Sequence, residues 1–223
     1  MHLFVRYLYL TLLLSSSLIV KAQPFSKEIK EFARMDSLQA PVRNGILLIG
    51  SSSFTMWKDV QQWFPEHRII NRAFGGSTLL DQIRYVDQVV APYHPLQVVI
   101  YCGENDIALS SSVTADTVLY RFRLLHGMIR DRFPSTRISF VSIKPSPSRV
   151  AFLPTVRQAN DKIESFCQTE PKTDFINVFS SMLHADGSCM EDLFLSDRLH
   201  MNEKGYRIWQ SIMKPYLLST QLP

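Results

Sequence analysis

Four places in the chain combine small residues with side chains that could hydrolyse an ester. The first is the Gly-Ser-Ser-Ser sequence at residues 50–53, which follows an apolar run. It offers a serine hydroxyl as a nucleophile at the end of a strand. Serines at strand ends more often cap the next helix, so this segment alone gives weak support for catalysis.

The second place has two adjacent glycines, Gly75 and Gly76, after a short apolar run and before a predicted helix. Free backbone N–H groups at the start of a helix can bind an anion or a developing oxyanion. A tight turn capped by Ser77 or Thr78 explains this segment equally well.

The third and fourth places supply an amide side chain and a possible base. Residues 103–106 read Gly-Glu-Asn-Asp, and the side-chain N–H of Asn105 could either bind the same oxyanion or form an Asx turn. Asp197 lies three residues before His200, close enough to hold the imidazole in a loop and leave its other nitrogen free as a base. Alone, this spacing is common, and such a histidine is usually a surface or capping residue.

Together the four places provide a nucleophile, backbone amides, an amide side chain and a base with its partner. Four of the eight glycines lie in these turns, at Gly50, Gly75, Gly76 and Gly103. This clustering in a glycine-poor chain indicates that the backbone has special requirements at one site.

The overall composition limits the class of protein. The chain has 223 residues, 46% hydrophobic and 20% charged, so it can bury a large core. Its net charge of +4 is spread without a basic run, which excludes an obvious nucleic-acid-binding arm. With 8 glycines and 3 cysteines it is neither collagen-like nor a disulfide-stapled miniprotein.

The first 22 residues have the pattern of a Sec signal peptide. A charged start precedes an apolar run at residues 7–20, and the small residue Ala22 marks the predicted cleavage site. An uncleaved anchor is the alternative, but the apolar run is shorter than the roughly 20 residues needed to span a bilayer. We therefore expect a bacterial protein exported to the periplasm or the medium, with no membrane segment after cleavage.

Export would place the three cysteines in an oxidising compartment, where an odd number leaves at least one thiol unpaired. Cys102 and Cys167 lie in apolar patterns and are predicted to be packed in the core. A bridge between Cys167 and Cys189 stays open, and the cysteine spacings do not suggest a zinc site.

Strands and helices are predicted to alternate along one domain at residues 46–223, after a lead-in helix and turn at 23–45. Near-continuously apolar strands between helices predict a parallel sheet covered on both faces. In such a doubly wound fold, ligands bind beyond the carboxyl ends of the strands. The predicted strands are residues 46–49, 68–71, 97–102, 137–143 and 173–178.

The four segments, in this order, resemble the blocks of the SGNH or GDSL hydrolases, in particular exported bacterial esterases similar to platelet-activating-factor acetylhydrolase. The resemblance covers residues 46–218 and implies a three-layer α/β/α, flavodoxin-like fold with strand order 2-1-3-4-5. It implies that Ser52 is the nucleophile, with no metal or organic cofactor. It differs at Ser51, where the family commonly has Asp, and Ser51 and Ser53 stay lesser candidates for the nucleophile.

The resemblance also implies roles for the remaining site residues. Gly76 and Asn105 would donate to the oxyanion together with the Ser52 amide. His200 would be the base, and Asp197 would orient it.

The expected activity is removal of acetyl or other short acyl groups from a small ester or an acylated glycan. A lysophospholipase or other lipid acylhydrolase is the alternative enzyme, and a non-catalytic carbohydrate-binding module is the alternative from another class. Lys144 and Arg149, in the loop after the fourth strand, are candidate substrate contacts, although an ordinary rigid loop is an equally simple interpretation. The tryptophans are predicted to pack in the core, and the oligomeric state stays open.

Overall fold

A five-stranded parallel sheet forms the centre of the protein in the computed structural model, which describes residues 23–41 and 43–219. The strand order is β2-β1-β3-β4-β5, and every neighbouring pair is parallel, as the resemblance implies. The strands are β1 (Ile46–Gly50), β2 (Ile69–Asn71), β3 (Gln97–Tyr101), β4 (Arg137–Val141) and β5 (Thr173–Ile176).

Eight α-helices lie among the described residues, and most of them connect successive strands. Capping side chains fix several starts: Thr78 and Thr114 each form a capping box, and the Asn202 side chain accepts from two amides of the last helix. The helices are α1 (Ser26–Leu38), α2 (Ser52–Thr55), α3 (Val60–Trp63), α4 (Leu79–Val89), α5 (Glu104–Leu109), α6 (Ala115–Arg132), α7 (Leu153–Thr169) and α8 (Glu203–Met213).

The sheet is covered on both faces, which gives three layers. Along β1, Leu47 and Ile49 pack into one apolar cluster with α4, α6 and α7, whereas Ile46 and Leu48 pack into another with α2, α3 and α8. Because β1 and β3 are buried along their whole length, neither strand alternates apolar and polar residues, and Gln97 at the start of β3 is their one polar side chain.

The lead-in helix α1 is fastened to the domain by polar contacts. Asp36 forms an ion pair with Arg72 at 2.6 Å and accepts a hydrogen bond from the Tyr93 hydroxyl at 2.5 Å. The Tyr85 hydroxyl donates to the Pro24 carbonyl at 2.6 Å. These bonds place the side chain of Phe25 beside the second of the four sequence segments.

Several predictions about individual elements are confirmed. The predicted strands are present, each ending at or within two residues of its expected limit, and α1 (Ser26–Leu38) lies within the predicted lead-in segment at 23–45. Trp57 and Trp209 are buried in the core, and Trp63 packs at its edge. The short helices α2, α3 and α5 were not predicted, because four to six residues are too few to show helical periodicity.

Cys102, Cys167 and Cys189 are all free thiols in the structure. Cys102 and Cys167 are buried, as predicted, and burial raises the pKa of the Cys167 thiol to about 12. The predicted signal peptide, residues 1–22, lies outside the described residues. Among the described helices, none is long and apolar enough to cross a membrane.

Candidate active site

A sharp turn at the end of β1 presents the serine triplet. Gly50 has φ +129°, and a Cβ at this position would lie 1.9 Å from the carbonyl oxygen of Tyr101, so only glycine fits. The Ser51 amide donates to the same carbonyl at 2.9 Å. The chain therefore leaves the sheet at Gly50 and starts helix α2 at Ser52.

The three serines of the triplet have different surroundings. Ser51 and Ser53 are buried, with 4% and 1% of their surfaces exposed, whereas Ser52 is half-buried. Within residues 23–41 and 43–219, the Oγ atoms of Ser52 and Ser53 have no hydrogen-bond partner. Ser52 is thus the one serine of the triplet that combines solvent access with an uncommitted hydroxyl.

The turn after β2 lies directly beside Ser52. A Cβ added to Gly75 would be 3.8 Å from the Cβ of Ser52. Gly76 has φ +83°, and its N–H makes no hydrogen bond to any residue that the structure describes. Thr78 caps α4, so the capping interpretation of this segment is correct, and it leaves the Gly76 amide available for another partner.

A buried polar contact that sequence reasoning missed holds this turn against β1. Gln82, fully buried in α4, donates through Nε2 to the Gly50 carbonyl at 3.2 Å and to Ser77 Oγ at 2.9 Å. Ser77 Oγ also donates to the Gly50 carbonyl at 3.1 Å. The sequence does contain a signal for this contact. Gln82 lies three residues after Leu79 and four before Val86, on the apolar face of the helix, which indicates a buried polar side chain that needs hydrogen-bond partners.

The Asn105 carboxamide lies between the first two segments. Its Nδ2 donates to Ser51 Oγ at 2.9 Å and to the Ser77 carbonyl at 3.1 Å. Its Oδ1 accepts from Arg149 Nη2 at 2.9 Å. Because a carbonyl must accept and a guanidinium must donate, these partners fix which end of the amide faces the serines.

Asp106, which sequence reasoning passed over, fastens the third segment to helix α4. Its Oδ2 accepts from the Leu79 amide at 2.9 Å, and its Oδ1 accepts from Arg121 Nη1 at 2.7 Å. Burial raises the pKa of Asp106, and these two donors oppose that rise. The Asp106 carboxylate therefore holds the segment that carries Asn105 against the start of helix α4.

Asp197 and His200 form the pair that their spacing suggested. Asp197 Oδ2 lies 2.7 Å from His200 Nδ1, and Oδ1 accepts from the amides of Leu199 and His200, both at 2.9 Å. Arg198 has φ +57°, which lets the loop fold back. The hydrogen bonds from the His200 amide and ring and from the Leu199 amide lower the pKa of Asp197 to about 2.

Two contacts bring this loop to the serine side of the sheet. The Tyr206 hydroxyl donates to the Ser53 carbonyl at 2.8 Å, and the Ser148 amide donates to the Arg198 carbonyl at 3.0 Å. In the part of the chain that the structure describes, no hydrogen bond joins Ser52 Oγ to His200. Such bonds are often long in a ligand-free site and tighten only when substrate binds.

The structure contradicts the prediction that Lys144 contacts substrate. Lys144 is 2% exposed, and its Nζ donates to Glu104 Oε2 at 2.6 Å and to Ser146 Oγ at 2.8 Å, so its charge is enclosed. Burial alone would raise the pKa of Glu104, but the charges of Lys144 and Arg149 outweigh it and lower that pKa. Arg149, the other candidate, is partly exposed and contacts Asn105.

The described residues contain no cluster of three or more His, Cys, Asp or Glu side chains that could hold a metal ion. The groups assembled at this edge of the sheet are a hydroxyl, an imidazole–carboxylate pair, a carboxamide and free amides. They suit acyl transfer through a serine.

Solved structures similar to this chain share its fold. A GDSL-like lipase from Bacteroides thetaiotaomicron is 20% identical, with a TM-score of 0.73, and the match covers 84% of this chain and 96% of that one. A Streptococcus pneumonia protein provisionally named a platelet activating factor is 21% identical, with a TM-score of 0.73 and coverage of 86% and 92%. A mutant of an acetyl-xylooligosaccharide esterase from Geobacillus Stearmophilus is 15% identical, with a TM-score of 0.62 and coverage of 82% and 98%.

A search of curated proteins finds no match to this chain. The fold and the family match nevertheless define the class of protein, a hydrolase of ester bonds. The family model for GDSL-like lipases and acylhydrolases matches residues 47–208. The chain belongs to the GDSL-like lipase/acylhydrolase family.

Proposed function

We propose that this protein is a serine esterase that removes short acyl groups, acetyl above all, from carbohydrate. One observation carries the proposal. The accessible hydroxyl of the triplet belongs to Ser52 and lies beside the turn that contains the free Gly76 amide. Ser51, the residue before Ser52, accepts a hydrogen bond from Asn105. The pair Asp197–His200 is held near this turn, because Ser148 donates to the Arg198 carbonyl and Tyr206, in the helix that follows the pair, donates to the Ser53 carbonyl.

The proposed reaction proceeds through an acyl-enzyme. His200 Nε2 takes the proton of Ser52 Oγ as the oxygen attacks the ester carbonyl, and His200 then gives this proton to the leaving alcohol. Water then attacks the acyl carbon and loses a proton to His200. The bond from Ser52 Oγ to the acyl group breaks, and His200 returns the proton to Oγ, which releases the acid and restores the Ser52 hydroxyl. Asp197, bonded to Nδ1, keeps the ring oriented and stabilises its charged form.

Three donors are proposed for the oxyanion of each tetrahedral intermediate. Ser52 is the first residue of α2, so its amide has no partner within the helix, and the Gly76 amide is also free among the described residues. Asn105 Nδ2 supplies the third N–H, by turning toward the oxyanion one of the two N–H groups that it donates to Ser51 Oγ and the Ser77 carbonyl. Each such donor typically contributes about 3–4 kcal/mol to stabilising the transition state.

The surroundings of Gly76 support a short acyl group. A Cβ added to Gly76 would lie 4.0 Å from an edge atom of the Phe25 ring, which itself packs on Phe74 with ring centres 5.1 Å apart. This ring limits the space beside one of the proposed oxyanion donors. The structural similarity to an esterase of acetyl-xylooligosaccharides supports carbohydrate as the acylated alcohol.

A lipid ester is the second candidate, because apolar side chains flank the site. Met56, at the end of α2, and Leu195, two residues before Asp197, are 40% and 42% exposed. They line a groove of about 400 Å³ together with Trp63 and the charged residues Lys58, Asp59 and Glu203. An acyl chain could lie along this groove.

The two candidates are separated by chain length and alcohol. Hydrolysis of p-nitrophenyl acetate, butyrate and octanoate and release of acetate from acetylated xylo-oligosaccharides are measured for the wild type, Ser52→Ala and Ser53→Ala. We expect Ser52-dependent activity that falls with chain length and includes the oligosaccharide, with Ser53→Ala close to wild type. A preference for octanoate would support the lipid candidate, and activity retained in Ser52→Ala would refute the nucleophile. No activity in the folded wild type would favour a binding module.

A further inference from the structure

The Asn105 carboxamide is held by a cation that the proposed catalytic cycle does not use. Arg149 Nη2 donates to Asn105 Oδ1 at 2.9 Å, on the side of the amide opposite Nδ2. A hydrogen bond from a charged donor is stronger than one between neutral groups, and it polarises the amide so that its N–H groups become better donors. Arg149 therefore affects both the orientation and the strength of this donor.

Arg149 is itself fixed by a buried ionic cluster. Its Nη1 lies 3.6 Å from Glu104 Oε1, which also accepts from Ser146 Oγ at 2.5 Å, while Lys144 is bonded to the other carboxylate oxygen. The Arg149 amide donates to the Ser146 carbonyl at 2.9 Å. The guanidinium is thus placed by its own backbone and by the carboxylate of the residue before Asn105.

The cluster brings a positive charge close to Asn105, while the carboxylates of Glu104 and Asp197 act on Lys144. Lys144 and Arg149 carry two positive charges and Glu104 carries one negative charge, and Lys144 and Glu104 are buried. The neighbouring ion pair between Asp106 and Arg121 carries no net charge. Charges that are shielded from water act more strongly than exposed ones, so the Arg149 charge, which touches Asn105, favours an anion beside this amide.

The same loop also contacts the loop of the base. The Ser148 amide, one residue before Arg149, donates to the Arg198 carbonyl between Asp197 and His200 at 3.0 Å. The loop after β4 therefore touches both Asn105 and the segment that carries the base. This is the loop in which the sequence suggested substrate contacts.

We propose that Arg149 is a positioning residue for ester hydrolysis, which acts through Asn105 by orienting and polarising the carboxamide toward the oxyanion. The inference rests on the proposed function, because it needs a serine-dependent reaction with Asn105 as a donor. It differs from direct substrate binding, in which Arg149 would contact the substrate and act independently of Asn105.

A double-mutant cycle tests this proposal with p-nitrophenyl acetate. Steady-state kcat and KM are measured for the wild type, Arg149→Met, Asn105→Ala and the double variant. We expect Arg149→Met to lower kcat by roughly 10- to 100-fold, the effect of one charge-assisted hydrogen bond, with KM almost unchanged. In the Asn105→Ala background the same substitution should change kcat by less than about twofold, because residues that act through one another are not additive.

Two further variants separate positioning from simple destabilisation. Arg149→Lys retains the charge without the planar guanidinium, so it should recover part of the lost kcat. Arg137→Met removes an ion pair with Asp174 at the opposite edge of the sheet and should leave kcat unchanged. Thermal unfolding of each variant shows that it is folded, and Arg149→Gln replaces Arg149→Met if the latter is not.

The possible results are distinct. Independent, multiplying effects of Arg149→Met and Asn105→Ala would overturn the proposal, as would a rise in KM at constant kcat, which would indicate direct substrate binding. Unchanged kcat in Arg149→Met would overturn it too. Failure of the proposed function is recognised separately, by activity that persists in Ser52→Ala.

Discussion

The Asn105 amide nitrogen lies 2.9 Å from the hydroxyl of Ser51, the residue before the proposed nucleophile. Ser51 occupies the position where the family that this sequence resembles commonly has Asp. In this structure the Ser51 hydroxyl accepts a hydrogen bond that helps to orient Asn105. Ser51 thus supports the proposed oxyanion donor, and its hydroxyl oxygen is engaged as the acceptor of this hydrogen bond.

Replacing Ser51 tests this supporting role. In Ser51→Ala, Asn105 Nδ2 keeps only the Ser77 carbonyl as an acceptor, so the amide is held less firmly. We expect kcat for p-nitrophenyl acetate to fall about 3- to 10-fold, as for the loss of one neutral hydrogen bond. Loss of all activity would instead make Ser51 the nucleophile.

Removing the Asn105 side chain should have a much larger effect. Asn105→Ala deletes one of three proposed oxyanion donors, so kcat should fall roughly 100- to 1000-fold. Because the contribution arises in the transition state, KM should change little. Steady-state kinetics with a melting curve as the folding control measure this, and a loss below tenfold would show that Asn105 is not a donor to the oxyanion.

The rate should rise with pH in a single step, because a general base acts only in its unprotonated form. Asp197 has a pKa of about 2, so its carboxylate stays ionised throughout the working range and contributes no second step. Its folded-state pKa lies below that of an unfolded chain, about 3.9, so the stability it contributes is lost only as the pH falls toward 2. A rate independent of pH from about 5 to 9 would contradict a histidine base.

Asp197→Asn tests the partner of His200. Loss of the carboxylate should lower the plateau rate by roughly 100- to 10,000-fold, because the charged imidazole loses its partner and the ring its orientation. The midpoint of the acid limb should move to lower pH for the same reason. A pH–rate profile of the variant decides this, and an unchanged midpoint would show that Asp197 does not act on the base.

The buried cluster behind Asn105 should also be visible in stability. Glu104→Gln leaves the enclosed charge of Lys144 without its counter-charge, which costs about 3–5 kcal/mol of unfolding free energy. For a chain of this size that lowers Tm by roughly 6 to 20 °C. Calorimetry checks this, and the double variant Glu104→Gln/Lys144→Met should regain most of the loss; a single variant as stable as the wild type would contradict the ion pair.

The sequence contained most of the information about the sheet. Its buried strands are unbroken apolar runs, and the helices between them keep a clear apolar face, so the parallel, doubly covered fold was predictable. The pairing of Asp197 with His200 was predictable as well, because three residues are enough for the loop to fold back. Strand order came from the resemblance to a family, since local patterns do not encode it.

Contacts between distant polar residues could not be predicted in the same way. The sequence suggested Lys144 as a substrate contact, but a carboxylate 40 positions away binds its ammonium group. Arg149 meets Asn105 across 44 positions, and Asp106 reaches the start of α4 across 27. No local period or spacing reports such pairs, because they depend on how the loops at the strand ends meet.

Covalent labelling tests the central claim, that Ser52 is a nucleophile activated by His200, most directly. The protein is incubated with a fluorophosphonate, and the peptide containing residues 51–53 is analysed by mass spectrometry in the wild type and in Ser51→Ala, Ser52→Ala, Ser53→Ala and His200→Ala. We expect one adduct on this peptide that persists in Ser51→Ala and Ser53→Ala, is absent in Ser52→Ala and forms far more slowly in His200→Ala. An adduct that remains in Ser52→Ala, or forms as fast without His200, would contradict it.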